Sequence, residues 1–273
     1  MRVDLDGMTA PTSRQWVSRP HAGSWKQAED ELAEEVPVAL EYNGISHAVM
    51  MATPADLAQF ALGFSISEGI VRSPGEMYGV ELEQGATGIT VHIDIASAAF
   101  ARLKERRRSM TGRTGCGLCG VDSLDQVLRP LPWLAPSRAL SAPAIRRALA
   151  GVKALQPLNR LTGATHAALW CGMGGALEIG FEDVGRHNAL DKLIGALAEA
   201  ETELSDGFAL ITSRASVEMV QKAATAGIAA LVAISAPTAL AVRAAQDCGM
   251  SLVAFARGED FVAYAHGVNI GLI

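Results

Sequence analysis

The sequence predicts an α/β protein, α+β overall, in which a small N-terminal α+β domain precedes a C-terminal α/β domain with a mixed, largely parallel sheet. Residues 34–51 alternate apolar and polar side chains around Asn43-Gly44, a pattern typical of a β-hairpin. Farther along the chain, glycine- and alanine-rich strands and helices alternate, and two consecutive βαβ crossovers imply parallel strands. A length of 273 residues fits about two domains.

The predicted boundaries divide the chain into three parts. Residues 1–28 combine proline, glycine and serine with little periodicity, which favours a flexible or loosely docked tail. Residues 29–112 form the predicted α+β domain, where the hairpin is followed by a helix at 55–68 and a strand at 88–95. Residues 113–273 form the predicted α/β domain.

The elements of the α/β domain follow from hydrophobic periodicity. Two paired strands precede a helix that begins at Arg186 and carries Leu190, Ile194 and Leu197 along one stripe, with Asp183 as its expected cap. Strands and helices then alternate to the end of the sheet. The predicted strands are 169–170, 176–181, 208–212, 229–234 and 252–255, and the later helices are 215–226 and 238–247.

Composition excludes several classes of protein. The formal net charge is −6, whereas a protein dedicated to nucleic-acid binding needs a broad basic face. The longest apolar stretch, residues 226–242, is interrupted by Ser235 and Pro237, which argues against a membrane span. Four cysteines and a polar N-terminus indicate a reducing, cytoplasmic setting.

The most informative chemical feature is a pair of cysteines, Cys116 and Cys119, within the glycine-rich segment 112–120. Glycines leave neighbouring sulfur atoms unshielded. Residues 121–127 resemble the start of a helix, whose free N–H groups, together with Arg113, would favour thiolate over thiol. An exposed thiolate is the species that attacks another sulfur atom, so the segment predicts sulfur transfer.

Three other interpretations of the cysteine pair are possible. A structural zinc site usually takes four ligands, and the remaining cysteines, Cys171 and Cys248, are isolated in the sequence. A thioredoxin-like redox pair would follow the first strand of a βαβ unit, whereas this pair follows a basic helical stretch. A buried structural pair would pack poorly among so many glycines.

Polar residues follow the ends of the predicted parallel strands. Ser213-Arg214, Ser235 and the segment 255–258 are expected along one edge of the sheet, where ligands bind in such folds. Helix N-termini after Ser213 and Ser235 suit phosphate, and Arg214 adds a bidentate partner. The alternative is that both serines are only helix N-caps.

His187 is a further candidate because it lies four residues from both Asp183 and Asp191, either of which could orient its ring. It could transfer a proton or hold a phosphate group. A purely structural histidine at a helix start is equally consistent with this spacing. The role of His166, in a polar turn before a strand, is open at this point.

Four motifs in order along the chain resemble the FdhD family, the accessory sulfurtransferases of formate dehydrogenase. The resemblance runs from about Glu34 to Tyr264. The motifs occupy residues 112–120, 162–168, 182–192 and 213–222.

The resemblance implies a cytoplasmic homodimer that takes sulfur from a cysteine desulfurase as a persulfide. The sulfur would pass to the molybdenum bis(molybdopterin guanine dinucleotide) cofactor, a bound substrate that then enters formate dehydrogenase. No permanently bound metal is expected. The family's C-terminal domain resembles the cytidine deaminase fold, yet this chain lacks the zinc-binding motif of the deaminases, so deamination is not expected. The alternative function is a cofactor-binding chaperone without covalent sulfur transfer.

The same resemblance assigns roles to individual residues. Cys116 corresponds to the persulfide carrier, and Cys119 is expected to assist or resolve it. The family's cofactor-binding segment corresponds to Phe255, Ala256, Arg257, Gly258, Glu259 and Asp260. Two acidic residues in that segment depart from the family pattern, and backbone amides could contact the phosphates there instead.

Overall fold

The computed structural model describes residues 9–111, 130–135, 140–267 and 270–271. Within these ranges a four-stranded sheet and a six-stranded sheet are each covered by helices, and a separate two-stranded ribbon precedes them. No helix among the described residues is both long enough and apolar enough to cross a bilayer.

The two-stranded ribbon replaces the predicted tail. Strands β1 (Thr12–His21) and β2 (Ser24–Ala33) pair in antiparallel register, and both residues of the connecting turn, Ala22 and Gly23, have positive φ. Such a turn matches the twist of a hairpin. Both faces of the ribbon are largely exposed, so its sequence carries little of the apolar alternation that predicts a strand.

The N-terminal sheet is built largely as predicted. Its strands lie in the order β4-β3-β6-β5, and the β3–β4 hairpin turns at Asn43-Gly44. Strand β5, which the sequence prediction missed, pairs with β6 at the sheet edge. The bounds are β3 (Val36–Tyr42), β4 (Ile45–Ala52), helix α1 (Leu57–Ser67), β5 (Met77–Gln84), β6 (Ile89–Ile95) and helix α2 (Ser97–Thr111).

Between the two sheets the chain forms short elements that the sequence prediction also missed. Strand β7 (Leu140–Ser141) pairs in parallel with β14 (Ile270–Gly271). Helix α3 (Ala142–Gly151) has Ser141 as its N-cap, and the Ser141 hydroxyl accepts a hydrogen bond from the Ala144 amide. Helix α4 (Pro157–Thr162) ends at a glycine with positive φ.

The six-stranded sheet has the order β13-β12-β11-β10-β8-β9. It is mixed, as predicted, and the two βαβ crossovers give parallel pairings between β10 and β11 and between β11 and β12. It is not largely parallel, because the pairings β10–β8, β8–β9 and β12–β13 are antiparallel. Helices α5, α6 and α7 contribute buried residues to the core on one face, and α3 does so on the other. The bounds are β8 (His166–Gly172), β9 (Leu177–Asp183), α5 (Arg186–Glu199), β10 (Gly207–Ile211), α6 (Val217–Thr225), β11 (Ala230–Ala233), α7 (Ala239–Cys248), β12 (Ser251–Arg257) and β13 (Asp260–Ala265).

Helix α1 packs directly against α5 and joins the two sheets into one core. A Cβ atom added at Gly63 would fall on the carbonyl oxygen of Asp191, and one added at Gly195 would fall on the carbonyl oxygen of Gln59. The glycines therefore let the two backbones touch. One hydrophobic cluster runs from the N-terminal sheet through both helices to the six-stranded sheet.

Candidate functional site

The segments that follow β10, β11 and β12 meet at one edge of the sheet. The Ala215 amide donates to the Ala236 carbonyl at 3.2 Å, and the Phe255 amide donates to the Ser235 carbonyl at 3.1 Å. These bonds bring together residues 212–216, 234–238 and 255–258, which we call the strand-end crest. Ser213, Arg214, Ser235 and the start of the 255–260 segment therefore share one surface region, as the parallel strands predict.

Neither predicted serine of the crest is a helix N-cap. Helix α6 begins after Ser216, and the hydroxyl of buried Ser213 donates to the Arg214 carbonyl at 3.1 Å. Helix α7 begins after Thr238, whose hydroxyl accepts from the Ala241 amide at 3.2 Å. The N-cap interpretation of Ser213 and Ser235 is thus wrong. Arg214 is exposed.

The predicted loop 255–260 is instead a β-hairpin. Phe255, Ala256 and Arg257 continue strand β12, Gly258 and Glu259 form the turn, and Asp260 begins β13. The strand prediction stopped early because the apolar run gives way to charged residues at that point. Consequently these residues present strand backbone and a tight turn to the crest.

Side chains fix this hairpin in place. The Arg257 guanidinium donates through Nε to the Ile234 carbonyl at 3.1 Å, and Arg146 of α3 forms an ion pair with Glu259 at 2.9 Å. Phe255 has a positive φ of 51° and is 43% exposed, at an irregularity in the pairing of β12 with β13. A non-glycine residue in that conformation is uncommon and marks a position that the surrounding structure holds.

His187 lies in the first turn of α5, and the predicted partners do not orient it. Its Nε2 atom is 3.3 Å from Oε2 of Glu218, a residue in the first turn of α6. Burial lowers the pKa of His187, and the neighbouring Arg186 lowers it further, whereas Glu218 opposes both effects. The prediction from spacing along the chain, that Asp183 or Asp191 orients His187, is therefore wrong, since the partner comes from the next helix.

Asp183 binds Lys192, Gly185 and Asn188 rather than His187. It is fully buried, pairs with the equally buried Lys192 at 2.7 Å, and accepts hydrogen bonds from the amide of Gly185 and the side chain of Asn188. The N-cap residue of α5 is Gly185, so the prediction that Asp183 caps the helix is wrong. Asp183 instead accepts hydrogen bonds from Gly185 itself and from Asn188 in the first turn. Buried charges need such partners.

Asp191 forms the second buried ion pair, with Lys222 of α6 at 2.8 Å. Lys222 also contacts Glu68 at 2.9 Å and the Ser67 hydroxyl at 3.0 Å, both at the end of α1. Burial raises the pKa of Asp191, and Lys222 opposes that shift. The sequence analysis missed this cluster because its members come from three distant helices.

His166 begins β8 directly across from Asp183 on β9. Burial lowers its pKa, and the positive charge of Arg186 lowers it further. His166, Arg186 and His187 thus form a basic group at the end of the crest near β8 and β9.

Cys116 and Cys119 lie outside the described residues. The described chain resumes with Pro130 and Leu131, which line a groove of about 410 Å³ together with residues from α6 and α7, among them Val217 and Leu240 in the first turns of those helices. Those turns follow the crest directly in sequence. Pro130 and Leu131 therefore lie beside the helices that follow the crest, and the chain continues to the other end of α7, where the Leu134 amide donates to the Cys248 carbonyl at 2.8 Å.

The other two cysteines are buried free thiols. Cys171 lies within β8 and Cys248 at the end of α7. Burial raises the pKa of both thiols, which disfavours the reactive thiolate.

Comparison with known proteins agrees with this architecture. A solved structure from Desulfotalea psychrophila, described as a formate dehydrogenase accessory protein, superposes with a TM-score of 0.73 at 22% identity, covering 95% of this chain and 99% of that one. This likeness shows the fold.

Curated relatives are closer in sequence. A protein of Variovorax paradoxus named sulfur carrier protein FdhD is 56% identical over 237 residues, 87% of this chain and 85% of the relative. A protein of the same name from Bordetella petrii is 53% identical over 243 residues, 89% and 87% of the two chains. The FdhD/NarQ family model matches residues 33–270. On this evidence the chain belongs to the FdhD/NarQ family.

Proposed function

We propose that this protein is a sulfurtransferase that supports formate dehydrogenase by carrying a sulfur atom on Cys116. Relatives more than half identical in sequence are named sulfur carriers, which supports this role. The observation that carries the assignment to a residue is the burial of Cys171 and Cys248 in the core. Their exclusion leaves the glycine-flanked pair Cys116 and Cys119 for sulfur chemistry.

The chemistry begins with attack by the Cys116 thiolate on the terminal sulfur of a persulfide held by a cysteine desulfurase. The sulfur–sulfur bond of the donor breaks, the donor cysteine leaves as a thiolate, and Cys116 becomes the persulfide. Cleavage of the persulfide returns Cys116 to the thiolate and passes on the terminal sulfur at the oxidation level of elemental sulfur, so its binding as sulfide would take two electrons from the reduced metal of the cofactor. Cys119 would discharge the sulfur early by forming a disulfide if it attacked first.

The acceptor is the molybdenum bis(molybdopterin guanine dinucleotide) cofactor, which we place on the strand-end crest. Arg214 is exposed there, and Arg257, on another segment of the crest, donates through Nε to the Ile234 carbonyl. Guanidinium groups suit phosphate because they donate two parallel hydrogen bonds. The groove lined by Pro130 and Leu131 supports this placement, since Val217 and Leu240, in the helix turns that follow the crest, line it too.

The wider setting follows from family membership. We propose a homodimer that works in the cytoplasm and meets two protein partners, the desulfurase that donates sulfur and the formate dehydrogenase that receives the cofactor. The C-terminal domain would share the cytidine deaminase architecture without deaminase chemistry.

Mass spectrometry tests the sulfur-bearing residue. The purified protein is incubated with a cysteine desulfurase and cysteine, and the expected product carries one additional sulfur atom on the peptide containing Cys116. The adduct is expected to persist in Cys119→Ala and in the control Cys171→Ala, and to vanish in Cys116→Ala. An adduct that survives Cys116→Ala but not Cys119→Ala would reverse the two roles.

A further inference from the structure

The Glu218 carboxylate lies against the basic group His166, Arg186 and His187 at the end of the crest near β8 and β9. We propose that His166, Arg186 and His187 form a binding site for a phosphate-type oxyanion, and that the Glu218 carboxylate occupies the site when the anion is absent. This inference rests on the proposed function, because it names a site at the end of the crest that would hold a phosphate group of the cofactor.

The Glu218 carboxylate is placed where the oxygens of a bound anion would lie. Its Oε2 atom lies 3.3 Å from Nε2 of His187 and 4.0 Å from Nη2 of Arg186, so one carboxylate oxygen lies against both side chains. The same oxygen accepts a hydrogen bond from the Ser216 hydroxyl at 3.1 Å. The Glu218 side chain is 57% exposed, so it can rotate into solvent without breaking a packed contact of the core.

The basic side chains are incompletely satisfied by this carboxylate. Nε of Arg186 and Nε2 of His187 are buried from solvent, and neither has a hydrogen-bond partner of good geometry among the described residues. Buried donors are almost always bonded in native proteins, because leaving one unpaired costs free energy. A tetrahedral oxyanion with several acceptor oxygens can serve two or three donors at once, whereas the Glu218 carboxylate serves them poorly.

The charges around the site are largely paired. Asp183 pairs with Lys192, Asp191 and Glu68 both contact Lys222, and Glu218 is the carboxylate that lies against His187 and Arg186. Lys222 lies one helical turn beyond Glu218 on α6, and its charge acts on His187 in the same direction as that of Arg186. Burial and Arg186 lower the pKa of His166, and a bound anion would reverse that shift.

Two helix starts converge on the same place. The N-cap residues of α5 and α6 are Gly185 and Ser216, and neither makes a side-chain capping hydrogen bond. The free N–H groups of both helices therefore add to the positive potential around Arg186 and His187. The chemistry of the site fits a phosphate or pyrophosphate group.

Calorimetric titration with inorganic pyrophosphate tests the proposal on the full-length protein. Because Glu218 competes with the anion, Glu218→Gln is expected to bind pyrophosphate about threefold more tightly or better. Arg186→Gln is expected to bind it on the order of tenfold more weakly, since charge-assisted bonds are lost. Arg186→Lys, which keeps the charge without the planar fork, is expected to fall between wild type and Arg186→Gln.

The matched control is Glu105→Gln on α2, which changes the net charge by the same amount as Glu218→Gln at an exposed site on another helix. It is expected to bind pyrophosphate as the wild type does. Melting temperatures of all variants establish that each is folded. Equal affinities of wild type, Glu218→Gln and Arg186→Gln would overturn the proposal, as would the absence of binding to wild type and Glu218→Gln alike.

Titration with GDP identifies the source of the anion. Tighter binding of GDP than of pyrophosphate, with the same dependence on Arg186, points to a nucleotide, and equal affinity points to the inorganic anion. The persulfide measurement on the same protein separates this inference from the proposed function. Persulfide formation without an effect of Glu218 or Arg186 on anion affinity contradicts the oxyanion site alone, whereas anion binding without persulfide formation contradicts the sulfur-carrier proposal alone.

Discussion

At the scale of single residues, the buried ion pairs of Lys192 and Lys222 connect the helices that carry His187 and Glu218 to the rest of the protein. Lys192 pairs with Asp183 and also donates to the Thr53 carbonyl at 3.2 Å, so it connects α5 with the chain just before α1. Lys222 connects α6 with α5 and with the end of α1. Buried ion pairs add little net stability compared with apolar side chains, yet each partner is costly to leave alone. The position of the α5 start, with His187, therefore depends on these two lysines.

Replacing Lys222 should show how much depends on the second pair. Lys222→Met leaves Asp191 as a buried charge without its ion-pair partner and is expected to lower the free energy of unfolding by about 3–5 kcal/mol. Urea denaturation followed by circular dichroism measures the change. The control is Arg19→Gln, which breaks the exposed pair with Asp30 and is expected to cost about 1 kcal/mol or less. A loss in Lys222→Met as small as that of the control would contradict the assigned role of the pair.

The lowered pKa of His166 predicts a pH dependence of stability. In the folded protein burial and Arg186 hold its pKa below the unfolded value, so the unfolded chain binds the proton more readily. Stability is thus complete above the unfolded pKa of about 6.5 and is lost as pH falls through it. His166→Asn is expected to lose less stability than wild type between about pH 7.5 and 5.5 in urea titrations.

The control for this titration is His21→Asn, at the exposed tip of the β1–β2 ribbon, which is expected to follow the wild-type pH profile. A His166→Asn profile identical to that of wild type would show that this histidine does not contribute to the acid sensitivity.

At the scale of elements, the sequence predicts best what local patterns encode. The stripe of Leu190, Ile194 and Leu197 locates α5 at its observed start, and Asn43-Gly44 locates the β3–β4 turn. The ribbon β1–β2 and strand β13 escaped prediction because their exposed faces carry mixed polar and apolar residues. Strand β5 does carry a usable signal, since Val80 and Leu82 alternate with glutamates, but Val80 is its one fully buried residue, so the apolar alternation of this edge strand is weak.

The contact between α1 and α5 provides a test at this scale. Gly63→Ala places a methyl group on the Asp191 carbonyl and must push the helices apart, so it is expected to lower the free energy of unfolding by about 1–3 kcal/mol or more. Thermal and urea denaturation measure the loss. Gly75→Ala is the control, because the nearest atom to its added Cβ is the Ser73 hydroxyl at 3.8 Å. Equal stability of the two variants would show that the helices are not in close contact.

At the scale of the whole molecule, the sequence predicts which segments form the crest, but it does not predict the partner of the nearby His187. Parallel strands place their carboxyl ends at one edge whatever their exact lengths. The prediction that Ser213, Arg214, Ser235 and Phe255 share one region is therefore confirmed, although β12 extends to Arg257, two residues beyond its predicted end. The partner of His187 depends on how α5 lies beside α6. That packing is a tertiary property, and spacing along a single helix does not reveal it.

The central claim is that a cysteine of the glycine-rich segment carries sulfur to a cofactor held on the crest. The most direct measurement is formate dehydrogenase activity in cells that lack their own copy of this protein and are complemented with variants. The double variant Cys116→Ala, Cys119→Ala is expected to abolish the activity, while Cys171→Ala retains it. Full activity with the double variant would contradict sulfur transfer and favour a chaperone that only binds the cofactor.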